Sequence, residues 1–174
     1  NDGVLTFDKG VTSIKVRVVT EDDDVYEGSE SFNISVAGQD GTVTHSDSAK
    51  QSATATIKDD GSAGPDDDRP AVSITGGGDV NEGGTANFSV SLDKAADTAV
   101  TVKLTFDADE TEAQDIKAYE YESAPGVWST VPNDGVLTFD KGVTSIKVRV
   151  VTEDDDVYEG SESFNISVAG QDGT

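Results

Sequence analysis

Two ten-residue stretches carry the densest chemistry in the chain: EDDDVYEGSE at residues 21–30, and the same ten letters at 153–162. Three adjacent carboxylates repel one another, and a folded loop that holds them loses stability unless a cation sits among them. Hard oxygen donors at this density suit Ca2+, which takes six to eight oxygens, better than Mg2+, which prefers fewer protein ligands. The stretch is not an EF-hand loop, because the D-x-D-x-D-G pattern with its closing Glu is absent. Glycine-rich nonapeptide calcium repeats are absent as well. The competing reading is an acidic surface that is merely solvated.

Composition removes other chemistries. The 174 residues hold 35 Asp plus Glu against 12 Lys plus Arg, a formal net charge of −23. Phosphate contacts need Lys and Arg, so no nucleic-acid partner is expected. Without cysteine, disulfides, thiolate catalysis and Cys-ligated zinc are excluded. The one histidine, His45, has Ser46 and Asp47 as chain neighbours, and chain adjacency is the wrong geometry for a triad. No nucleophile–base pair, phosphate loop or catalytic carboxylate pair stands out, so an enzyme is not expected. No apolar run approaches the roughly 20 residues that span a bilayer, so no membrane insertion is expected. There is no Met in the chain, which reads as a piece of something longer.

The elements that must position the acids come from a repeat. Residues 1–42 recur letter for letter at 133–174, an offset of 132 residues. That is too long for one solenoid turn and right for a whole domain. The expected organisation is the back half of one repeat at 1–60, an acidic interdomain linker at 61–69, and the next repeat at 70–174 without its last strand. Identical repeats in tandem are therefore the expected neighbours. Apolar residues alternate with period two at Val72 and Ile74, at Ala86 to Leu92, at Val100 to Phe106, and at Ile146, Val148 and Val150. Phe164, Ile166 and Val168 continue the pattern, and Ala53, Ala55 and Ile57 mark a strand that occurs once. Such segments, separated by Gly, Asp and Asn clusters, predict an all-β antiparallel sandwich.

Residues 118–132, AYEYESAPGVWSTVP, predict a hairpin turning at Ala124-Pro125-Gly126. Its Tyr119, Tyr121 and Trp128 read either as a sugar-stacking platform or as cross-strand pairs that stabilise a sheet. The linker run Asp66-Asp67-Asp68 also reads two ways: a metal site between consecutive units, or a spacer held open by its own charge. The last strand of the repeat occurs only in the first half-unit, so the second unit is expected to carry an unpaired edge where that strand belongs. A neighbouring molecule could donate residues 51–58 to that edge in head-to-tail exchange.

The run GVLTFDKGVTSIKVRVVTEDDDVYEGSESFNISV, with VNEGGTANFSVSL at 80–92 and ATATIKDD at 53–60, resembles the Calx-β domain. The resemblance covers most of the repeat. It implies an immunoglobulin-like sandwich that binds Ca2+ at one pole. In the second unit it implicates Glu82, Asp154, Asp155, Glu159 and Glu162 as metal ligands. In the first copy the matching loop residues are Asp22, Asp23, Glu27 and Glu30, joined by Asp59 and Asp60. Asp24 and Asp156 are additional donors beside them. Asp115 stands near the family's mid-domain Asp, although its surroundings depart from the A-x-x-x-D-Y pattern.

Acidic, Cys-free arrays of near-identical units of this kind resemble the extender regions of giant RTX-type bacterial adhesins. That resemblance implies type I secretion and an extracellular, cell-surface spacer stiffened by Ca2+ that projects an adhesive domain in cell adhesion and biofilm formation. An adhesive module gripping polysaccharide through Tyr119, Tyr121 and Trp128 is the alternative. A Ca2+ sensor is disfavoured, because a sensor gains little from many identical copies.

Overall fold

In a computed structural model of the chain, the described residues are 3–39, 41–44, 51–59, 67–109, 111–158 and 160–171. They form ten strands and no helix: β1 (Ser29–Ser35), β2 (Ser52–Lys58), β3 (Val72–Gly76), β4 (Thr85–Leu92), β5 (Val100–Asp107), β6 (Ile116–Ala124), β7 (Val127–Thr130), β8 (Val136–Phe139), β9 (Ser145–Thr152) and β10 (Asn165–Gly170). Strands β3 to β10 build an antiparallel immunoglobulin-like sandwich. One sheet has the order β3-β4-β9-β6-β7 and the other β10-β5-β8. Period-two alternation sends Val90, Val148 and Val150 from the first sheet, and Val102, Leu104, Leu137, Phe139 and Ile166 from the second, into one core. Tyr119, Phe106, Phe164 and Phe88 continue that core as a chain of rings 5.3–6.3 Å apart.

The first copy of the repeated sequence behaves differently. Residues 4–19 match 136–151 letter for letter, yet they contain no strand. Leu5 and Phe7 are 56% and 55% exposed, while their counterparts Leu137 and Phe139 are 1% and 0%. Alternation supplies an apolar face, but a strand needs hydrogen-bonding neighbours. In the second unit β5 pairs with β8, and β4 and β6 flank β9. Identical sequence therefore gives strands at 136–151 and none at 4–19. What does form in the first copy is a separate two-stranded sheet, β1 against β2.

Gly135 shows how closely the second unit is packed. It has φ 73°, its carbonyl accepts the Leu104 N–H at 2.8 Å, and a Cβ there would lie 2.1 Å from the Leu104 carbonyl oxygen. Its counterpart Gly3 has no atom within 4 Å of that position. Gly135→Ala is expected to cost about 2 kcal/mol, combining left-handed strain with displacement of β5. Gly3→Ala should cost less, because a Cβ there meets no atom within 4 Å. Urea unfolding followed at Trp128 checks this, and equal effects would mean the contact with β5 contributes nothing.

The hairpin forms as the sequence predicts, β6 against β7, with a register shift between Glu122 and Ala124. The aromatic platform does not form. Tyr119 and Tyr121 lie opposite Val150 and Val148 on the core side, whereas Trp128 pairs with Glu122 on the outer face. There the Arg149 guanidinium stacks on the indole, 4.1 Å from the ring centre, while bonding to Glu120. Cross-strand pairing accounts for these rings, and they cannot grip one sugar together. The Tyr119 hydroxyl oxygen is buried without a hydrogen-bond partner, and burial pushes its pKa up to about 12.

Candidate metal site

The acidic loops are positioned at one pole of the sandwich by strand ends. Asp154 and Asp155 follow β9, Glu162 precedes β10, Asp115 precedes β6, and Glu82 lies in the turn between β3 and β4. These five carboxylates line one cleft of about 930 Å3. Backbone bonds fix its walls: Gly83 N–H donates to the Glu153 carbonyl at 2.9 Å, and Glu153 N–H to the Asp115 carbonyl at 2.8 Å. Gly83 (φ 70°) comes so close that an added Cβ would lie 2.9 Å from Asp154 Cβ. The Thr152 hydroxyl ties the same turn down, accepting from Gly84 N–H at 3.1 Å and donating to the Asn81 carbonyl at 3.2 Å.

Within the acidic run, an Asp side chain folds back onto the backbone. Asp155 Oδ1 accepts the Val157 N–H at 2.7 Å, and Asp23 Oδ1 accepts the Val25 N–H at 2.9 Å. This turn is local and so occurs in both copies. Among the described residues, no three acidic side chains converge closely enough to hold a metal ion. Glu159, Asp60 and Asp66 lie outside the described residues. Asp22, Asp24 and Asp156 are exposed.

The donor chemistry nevertheless fits a hard cation. Burial, and then a hydrogen bond and charge repulsion from Asp115, push the Glu162 carboxyl above the usual carboxylate range. Two carboxylates crowded in this way offer oxygens that a divalent cation can take. A folded pKa raised above the unfolded value contributes stability below the unfolded pKa, and loses it as pH rises. Glu162→Gln is therefore expected to raise the unfolding midpoint in EDTA at neutral pH, with the gain vanishing in acid. The same variant should lose most of its response to Ca2+. A midpoint in EDTA below that of the parent chain would refute the crowding of these two carboxylates.

The first copy arranges its acids around Asp59. The Asp59 carboxylate accepts the N–H groups of Glu27 at 2.8 Å and Gly28 at 3.2 Å. Glu27 is pushed up by burial, then by repulsion from Asp23, Glu30, Asp97 and Asp59. Asp97 belongs to the following unit, and its N–H donates to the Tyr26 carbonyl at 2.9 Å. Sequence reading missed Asp97, because no local motif marks a residue that enters the loop from the next repeat. The linker acids also find partners. Asp67 bonds Arg69 at 2.7 Å and Asp68 bonds Lys94 at 3.3 Å, so neither is left as a self-repelling charge. The Arg69 hydrogen bonds bring the Asp67 carboxyl down to about 2.

The profile of the Calx-beta domain matches residues 1–61 and again residues 66–174. The chain belongs to the Calx-beta family. Calx-beta domains are Ca2+-binding β-sandwiches, and the carboxylate-lined pole described above is where oxygen donors gather in this Calx-beta chain. No curated protein and no solved structure matches it.

Proposed function

We propose that this chain is a Ca2+-dependent spacer: tandem Calx-beta units that, once Ca2+ is bound, hold a distal adhesive domain away from a bacterial cell surface. The observation that carries the reading is the meeting of one unit's acidic loop with the next unit, through the Tyr26–Asp97 backbone bond and the crowding of Asp23, Glu27, Glu30, Asp59 and Asp97. Like charges at a junction resist close docking, and a divalent cation turns that repulsion into attraction. Binding there would fix the angle between units, while binding at the Glu82–Glu162 pole would stiffen the unit itself. Extracellular Ca2+ modules work at about 10⁻⁴ to 10⁻³ M, which suits a protein outside the cell. The role is mechanical, with no catalytic step.

A paired-label distance measurement tests it. The chain has no cysteine, so spin labels at Thr54→Cys and Lys103→Cys report only on the junction. The distance distribution should be broad in EDTA or Mg2+ and narrow in millimolar Ca2+. An unchanged distribution would sink the spacer reading.

A further inference from the structure

We infer that the exit of the linker is a metal-independent latch: Asp68 on Lys94 and Ala71 on Asp93 clamp residues 67–71 to the loop between β4 and β5, so that any swing between units takes place before Asp67. An acidic spacer residue is expected to sit in water, and Asp68 does not. It is 7% exposed, the one buried polar or charged residue among the described residues. Burying a carboxylate is costly unless it is paired, and the Lys94 ammonium meets its Oδ1 at 3.3 Å. Three residues on, the Ala71 N–H donates to Asp93 Oδ1 at 2.7 Å, and the Asp93 N–H donates to the Ala71 carbonyl at 3.0 Å. Asp67 closes the turn at the other end, accepting from the Arg69 backbone N–H at 3.1 Å and from its guanidinium at 2.8 and 2.7 Å. The sheet ladder begins only at Val72, so these contacts carry the grip of the second unit back into the linker.

The loop that holds the linker is itself held. Ala96 is 4% exposed, and its carbonyl accepts the Gly142 N–H from the turn between β8 and β9 at 2.9 Å. From the same turn the Lys141 ammonium reaches Asp97 Oδ1 at 2.6 Å. The Asp97 N–H is left to point outward, where it meets the Tyr26 carbonyl of the preceding unit. Residues 93–98 thus grip the linker with Asp93 and Lys94 and receive the earlier acidic loop with Asp97. Every one of these contacts is made by the chain's own groups, so chelation of Ca2+ leaves them in place.

What the latch is for rests on the spacer reading. Asp59 holds the first acidic loop through the N–H groups of Glu27 and Gly28. Counted from Asp59, the first fixed point on the second unit is nine residues on at Asp68, and would be twelve residues on at Ala71 without the Asp68–Lys94 pair. The shorter tether raises the local concentration of the acidic loop at Asp97 by about 1.5-fold from closure entropy alone. A junction that has let go of its cation therefore stays poised to close when Ca2+ returns.

Nitrogen-15 relaxation of the whole chain in EDTA tests the latch before any Ca2+ is added, so its failure is separate from a failure of the spacer reading. The amides of Asp67, Asp68, Arg69 and Ala71 should show order parameters near those of β9, about 0.85. Lys94→Met should lower the Asp67, Asp68 and Arg69 values to below about 0.6 while β9 keeps its own. Asp68→Asn, which leaves no buried charge unpaired, should loosen the same three amides and guards against a general loss of folding in the first variant. Spin labels at Thr54→Cys and Lys103→Cys should report a broader distance distribution in EDTA for Lys94→Met than for the parent. Low order at Asp67 to Arg69 in the parent chain, or order there that survives both substitutions, would overturn the inference.

Discussion

Phe139→Ala is expected to destabilise the second unit by about 3–5 kcal/mol, whereas Phe7→Ala, the same substitution in the same sequence context, should change its stability by less than about 0.5 kcal/mol. Phe139 is 0% exposed and Phe7 is 55%. Removing a buried ring forfeits its transfer free energy and leaves a cavity bounded by both sheets, while an exposed ring loses neither. Domains of this size hold only about 5–15 kcal/mol in total, so Phe139→Ala should bring the unit near its unfolding limit. Urea unfolding followed by Trp128 fluorescence reads the second unit directly, since the chain has one tryptophan. Far-UV circular dichroism recorded alongside reads both copies, and equal losses from the two substitutions in that signal would show that residues 4–19 are packed as 136–151 are and would overturn the asymmetry between the copies.

Saturating Ca2+ is expected to raise the unfolding midpoint by roughly 6–20 °C, with little change from Mg2+. A ligand at tenfold to hundredfold excess over its Kd stabilises the folded state by about 1.4–2.7 kcal/mol. Each kcal/mol moves the midpoint of a unit this size by about 4–8 °C. Selectivity follows from the donor set: carboxylates at the ends of four different strands can surround a large, loosely coordinated ion more readily than a small one that demands an octahedron. Asp154→Asn with Asp155→Asn should abolish most of the rise without lowering the midpoint in EDTA, because neither side chain contributes to the core. A midpoint indifferent to Ca2+ would return these residues to a solvated acidic surface.

Much of the sandwich was legible because alternation is local. Ile146, Val148 and Val150 declare a face, and the face proves buried. The same letters at Ile14, Val16 and Val18 declare it too and form no strand, because no sequence pattern states whether a partner is at hand. The Asp23 and Asp155 turns sit at the other extreme: each closes within two residues, so both copies make it. The candidate site was legible as a list of carboxylates but not as an arrangement. Asp115 had no motif around it, yet the fold sets it beside Glu162. Asp97 reaches the first acidic loop from about 70 residues away. The face of Trp128 stayed open between two readings for a different reason: the register shift near the hairpin turn decides it, and a shift of one residue reverses every side chain.

The identity of residues 4–19 and 136–151 also bears on how the chain emerges during synthesis. Residues 71–132 leave the ribosome with their apolar faces uncovered, and the segment that covers them takes some 40 further residues to complete. At about 5–20 residues per second, that delay is roughly two to eight seconds, as long as or longer than a β-rich domain needs to fold. During that interval the earlier copy, already in solution and equal in every side chain, is a candidate. Which copy closes the sandwich is then a contest between arrival time and tether length, settled by kinetics where composition is silent.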